Sequence, residues 1–422
     1  MIEVGRRSTD KTNVLYEMNV EDHDFTFASS ITEALAYAES EIHSFEETIE
    51  SVNNMEPNCD KLDYALAASS GALCGIIDIF LVGDPGESPI GNVTDNWFAN
   101  RTIDFAKLCG WEDRGNNSLS SAVSFLEKKF KIPYDQRGAG DAASFVFGLN
   151  PKNHHFKSLA HNPTLLGLFF SILDQFTNSS HFVAEGELIS LADADGTFEL
   201  QGSNIPGKFF CAFVNWFGHL VSDVSGSSGS KGRGMGIPSP FWAWTNDVIA
   251  IRRKLNIPAS DFNRSINELA VNIYKKGYDA RFQTAQLIPV FLNEILVRMI
   301  YSVRRLVKFF SDSEKDQRTF ALMWKMCEPF SNSTVKRMLT VAHGTFCLMD
   351  MGDAMIRGVA AGGGFFDVAK FAMRLNIIGA GRFTISLYGE AKRGILIYWK
   401  SDDAAFAARE KIIVQDYIEG LN

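Results

Sequence analysis

The chain has 422 residues, with 41 Lys and Arg against 50 Asp and Glu and a net charge of −9 at neutral pH. A hydrophobic fraction of 46% with 22% charged residues excludes wholesale disorder. The acidic balance argues against nucleic acid as a partner, since phosphate is repelled unless a local basic patch intervenes.

Phenylalanine is over-used, 34 residues against 10 Tyr, which points to large apolar contacts inside the fold or with something outside it. Six cysteines without CxxC spacing fit reduced thiols in a cytoplasmic protein, and no secretory apolar run follows Met1.

Residues 1–28 read as extended and polar, with a short strand. Ser30-Ile31-Thr32-Glu33 has the form of a capping box. Behind it Ile31, Leu35, Ala38, Ile42, Phe45 and Ile49 form one stripe of a long acidic helix that ends before Pro57. Residues 1–60 are therefore an N-terminal segment, and 61–225 an apolar helical region.

Tyr64 to Gly83 is the most hydrophobic window, long enough to cross a bilayer, although Asp78 is costly there. Ala68, Gly71, Ala72 and Gly75 give it a small-residue face suited to close helix packing. It reads first as a buried core helix. A membrane-inserting helix is the second reading, with Phe80 and Leu81 as contacts to lipid or partner.

Helices are expected at 96–109, at 118–130 with Ser118 as cap, and at 165–176 with Asp174 near the end. Phe182 to Leu191 and Thr197 to Gln201 alternate like strands around 192–196, predicting a small β-hairpin excursion over about 182–201.

Phe209 to Asp223 is an aromatic-rich helix on which His219 and Asp223 share a face one turn apart. An imidazole and a carboxylate so placed can hold one divalent metal, with His161, His154, His155 or Asp174 as a third ligand. The set His219, Asp223 and His161 is the candidate metal site. Gly226 to Pro238 is a flexible Gly/Ser-rich loop. Its Ser227, Ser228, Lys231 and Arg233 are candidate ligand-binding residues, able to meet an anion or a protein partner. No Gly-Lys-Ser/Thr is present and no strand precedes it, which excludes a Walker A loop.

Residues 239–422 read as a C-terminal helical region. Helices are expected over 241–255, from Ser260 to Gly277, and over 287–310, 314–327, 334–357, 365–375 and 402–419. In 287–310, Phe291, Ile295, Met299, Val303, Leu306 and Phe310 align on one side, predicted to dock into the core. Phe291, Met299 and Phe310 are the candidate contacts if that side instead meets a membrane or partner. Arg382 to Tyr388 and Ile395 to Trp399 read as two short strands. Gly71 to Asp78 echoes Gly344 to Asp350, so two helices can pair through small residues and bring their acids together.

The expected fold is mainly α: a multi-helix globular body with a small β-hairpin and short C-terminal strands. Apolar helices each carrying one acid (Asp78, Asp174, Asp223, Asp350) suggest a non-enzymatic protein that associates with or inserts into the inner face of a membrane, or assembles there with protein partners or copies of itself. The alternatives are a metal-dependent hydrolase acting on a phosphate-containing substrate, and a soluble scaffold that docks a protein through its Gly/Ser loop.

Overall fold

The computed structural model describes residues 3–7, 15–19, 31–113, 118–133, 144–192, 198–226, 234–313, 318–363 and 365–421. The protein is 74% helical, as the periodicity predicts. Among the described residues two antiparallel hairpins accompany the helices, β1 (Glu3–Arg7) with β2 (Leu15–Asn19), and β3 (Ser179–Ala184) with β4 (Glu187–Ala192).

The chain divides into two compact units, 1–58 with 391–422, and 59–390. In the first, α1 (Ile31–Asn53) half-buries Leu35, Ile42, Phe45 and Ile49 and fully buries Ala38, the stripe read from the sequence. Its Glu46 meets Lys411 at 2.7 Å. Ser30, the expected cap, lies outside the described residues.

The second unit is built on α2 (Lys61–Ile77), which continues through a π turn to Val82. Its N-terminus is closed by Asp60 and Asp63, each side chain accepting the other's backbone N–H. The small-residue face packs on α12 (Ser333–Ala361). A Cβ placed on Gly71 would lie 2.1 Å from the Ala342 carbonyl oxygen, and one on Gly75 3.1 Å from Met349. Only glycine allows the two backbones to come this close.

Ser88 and Pro89 start α3 (Pro89–Leu108) seven residues before the expected 96, because Pro at the first turn presets the helical φ and the Ser oxygen takes the Gly91 N–H. Ser118 caps α4 (Leu119–Lys129) as predicted. There follow α5 (His154–Lys157), a 3₁₀ turn (Leu159–His161), α6 (Leu165–Thr177), the β3–β4 hairpin and α7 (Ile205–Asp223). The hairpin was expected to turn at 192–196. It turns instead at Glu185 and Gly186, whose φ values of 52° and 76° are those of a two-residue primed turn. Thr197 lies outside the described residues, and 198–201 is not strand.

Beyond the Gly/Ser loop come α8 (Pro240–Lys254), α9 (Asp261–Lys275), α10 (Ala280–Asp312), α11 (Phe320–Cys327), α12, α13 (Val368–Arg374) and α14 (Ile377–Leu421). The two short strands expected at 382–388 and 395–399 are absent, because both lie within α14. Asn376 starts that helix, its side chain accepting the Gly379 N–H, and Arg382 meets Ser386 one turn on. These local bonds outweigh the β-branched character of Arg382 to Tyr388.

The buried face of α10 is not the one expected. Phe282, Ala285, Val290, Val297 and Tyr301 go inward together with Gln286 and Asn293. Both polar groups are satisfied there: Asn293 accepts from Ser70, and Gln286 accepts from Tyr278 and donates to the Leu375 carbonyl. The stripe Phe291, Ile295, Met299, Val303 and Phe310 is exposed. Helix α10 is apolar on two sides, and the side able to hydrogen-bond inside took the core.

Candidate metal centre and apolar faces

The four acids in apolar helices are all held from within. Asp78 is bound by the fully buried Arg374 at 3.1 Å and by Asn376 at 2.7 Å, and Arg374 reaches Asp353 at 2.7 Å. Asp350 accepts the Asn376 backbone N–H at 2.8 Å. Arg374 is shared by Asp78 and Asp353, and Asp353 also takes Arg357. Burial, with Asp78 nearby, pushes Asp350 up to about 8, and burial raises Asp78 as well. At neutral pH, then, Asp350 keeps its proton. Asp174 is bonded by Ser179 and His181, and burial raises it too.

Asp223 is the different case. His219 and Asp223 end α7 one turn apart, and α5 with its 3₁₀ turn lays His155 and His161 against them. From Asp223 Oδ2 the Nε2 atoms of His219, His161 and His155 lie at 3.1, 3.5 and 3.6 Å. The His161 and His219 Nε2 atoms are 3.1 Å apart. Burial works against the Asp223 charge, and positive charge among the neighbouring rings, His219 first and His155 next, is what holds the carboxyl well below its usual range. Burial pushes His161 far below the ordinary imidazole value and His154 down to about 3, so both rings are neutral.

The structure thus brings together the three residues singled out as metal ligands, His161, His219 and Asp223, and sets His154 and His155 beside His161 as a second, adjoining group. Asp174 lies with His181 instead. The arrival of α5 beside the end of α7 is a tertiary event without a spacing signal, and His154 and His155 were open to the sequence only as possible third ligands.

Ser227, Ser228, Lys231 and Arg233 lie outside the described residues. The stem of their loop is anchored by Arg281, which donates to the Ser225 and Gly234 carbonyls, and by Asp279, which accepts the Gly236 N–H. Of the basic groups on α10, Arg304 and Arg305 are paired with Asp60 and Asp63, and Arg298 with Glu294.

Among the described residues two helices are long and apolar enough to cross a membrane, Lys61–Val82 and Ala280–Asp312. On the first, Phe80 and Leu81 are exposed. On the second, Phe291 is 62% and Met299 58% exposed, with Phe310 also outward. Beside it lies α11, bound through Ser302 to the Cys327 carbonyl and through Tyr301 to the Met326 carbonyl. Helix α11 reads Phe-Ala-Leu-Met-Trp-Lys-Met-Cys, yet it buries none of these residues. Comparison with protein-family models, with curated proteins and with solved structures finds no match.

Proposed function

We propose that this is a non-enzymatic helical protein that docks on the inner face of a membrane through the apolar surface of α10 and α11. The observation that carries the reading is that surface itself. Phe291, Ile295, Met299, Val303 and Phe310 form a continuous helical stripe left outside the core, next to a helix whose Phe320, Leu322 and Trp324 are exposed as well. Apolar area of this kind is costly in water and marks an interaction site.

Docking, rather than insertion of α2, fits the internal bonding of the acids. Freeing α2 would break the Asp78–Arg374 pair and carry Asp78 into hydrocarbon without its cation. Attraction to anionic lipid is a small contribution, since Arg298, Arg304 and Arg305 are already neutralised by acids of the same unit. Apolar burial does the binding.

Assembly with protein partners or further copies is the second reading. It is favoured by separate exposed apolar rows, Phe209, Phe213 and Phe217 along α7 and Leu348, Met355, Ile356 and Val359 along α12.

Fractionation of expressing cells tests the docking. The protein should sediment with membranes, resist a high-salt wash and leave in alkaline carbonate. Retention through carbonate would point to inserted α2, and recovery in the soluble fraction would overturn the membrane reading.

A further inference from the structure

The buried cluster at the end of α7 takes no part in docking, and its contacts do not close as ordinary core packing. His219 Nδ1 lies 3.1 Å from the Phe130 carbonyl oxygen and His155 Nδ1 3.4 Å from that of Gly236. A carbonyl oxygen only accepts, so each Nδ1 carries a proton, and a neutral ring then has its lone pair on Nε2. Both Nε2 atoms nevertheless stand within 3.6 Å of Asp223 Oδ2. That carboxylate oxygen accepts no hydrogen bond among the described residues, while the other oxygen takes the Ser222 hydroxyl. A proton on His161 Nε2 serves one of these contacts and not the rest. Lone pairs crowded on an anionic oxygen repel unless a positive centre lies among them.

We propose that His161, His219 and Asp223 hold one divalent transition-metal ion, for which zinc is the best match, and that His155, whose Nε2 stands 3.6 Å from Asp223 Oδ2, turns in as the fourth ligand. An ion with tetrahedral arms of about 2.0–2.1 Å has ligand-to-ligand edges of about 3.3–3.4 Å. The separations among the His161, His219 and Asp223 ligand atoms, 3.1 to 3.5 Å, bracket that value. Three imidazoles and one carboxylate suit zinc and its first-row neighbours, whereas calcium and magnesium take oxygen sets. The Nδ1 contacts to Phe130 and Gly236 are the outer bonds that fix the rings of ligating histidines.

All four side chains are at most 2% exposed, which suits a closed, structural centre rather than a hydrolytic one that keeps a position open for water. Bound there, the ion clamps α5 and its 3₁₀ turn onto α7, and through the ring contacts it steadies Phe130 and Gly236. Gly236 lies at the stem of the Gly/Ser loop.

The test uses the full chain purified without a histidine tag or chelator, with metal counted by elemental analysis. About one zinc per chain is expected. Stripping it should lower the melting temperature by about 3–4 °C, as loss of an ion held at roughly a hundred times its Kd would do. Zinc should restore the loss, and cobalt put in its place should give the intense visible bands of a four-coordinate site. Asp223→Asn and His161→Gln should each reduce bound metal more than tenfold. The proposal is overturned if the wild-type chain carries no metal, gains none from added zinc or cobalt, and melts at the same temperature with and without chelator. A proton shared among the rings would then replace the ion. Because this readout is made on the wild-type chain, failure of a variant to fold does not blunt it.

Discussion

Replacing Gly71 by alanine should destabilise the protein, although alanine is the better helix former. In an unconstrained helix the change is worth about 0.5–1 kcal/mol in alanine's favour. Here the new methyl would sit 2.1 Å from the Ala342 carbonyl oxygen, 2.9 Å from its carbon and 3.0 Å from the Thr345 side chain. Ordinary contact needs roughly 3.5 Å, so α2 and α12 must part by about 1 Å along their contact. Overpacking of that kind costs about 1–3 kcal/mol, leaving a net loss of roughly 1–2 kcal/mol. Gly352 on α12 is the control, because a methyl there meets nothing within 4 Å and Gly352→Ala should gain up to about 1 kcal/mol. Urea unfolding followed by circular dichroism reads both, with the midpoint falling for one and rising for the other at unchanged slope. A Gly71→Ala midpoint at or above wild type would refute the close α2–α12 approach on which the acid network depends.

Three further outcomes follow from the same contacts. Arg374→Met should cost about 3–5 kcal/mol by leaving Asp78 buried without its cation, and adding Asp78→Asn should recover much of it in the same unfolding assay. Asp350 holds a proton that its unfolded form gives up near pH 4, so its share of stability is complete below that pH and drains away as pH rises through about 8, at up to roughly 1.4 kcal/mol per unit. Melting followed from pH 5 to 9 should show this fall in the wild type and a shallower one in Asp350→Asn. Substituting Glu294→Gln should weaken the α10–α14 contact, since Glu294 takes both Arg298 and Arg382, and limited proteolysis should then cut within α14 sooner.

Much of the helical layout was legible because caps and stripes are local. Ser118, Ser260 and Gly277 delimit their helices as their chemistry requires, with Gly277 at φ 103°. The likeness between Gly71–Asp78 and Gly344–Asp350 pointed to the α2–α12 pair, and Asp78 and Asp350 do meet around Asn376. What failed was decided by distant partners. The C-terminal segment has the β-branched residues of strands, but Asn376 and the pairs Arg382–Glu294 and Arg337–Glu390 hold it as a helix. The face of α10 could not be told from periodicity, because Asn293 and Gln286 are tolerable inside only once Ser70 and Tyr278 arrive from other parts of the chain. At the candidate metal site the His219–Asp223 turn was readable from spacing alone, whereas His155 and His161 join it through the fold.

The docking claim is tested most directly by flotation of the purified chain with vesicles of neutral phosphatidylcholine in high salt, comparing wild type with Phe291→Ser/Phe310→Ser. Both side chains are exposed, so the double variant should fold as the wild type does. The account predicts that the wild type floats with neutral lipid as well as with anionic lipid, salt notwithstanding, and that the double variant stays at the bottom of the gradient. Wild-type protein that stays at the bottom with every vesicle, or that floats only with anionic lipid and is released by salt, would contradict it.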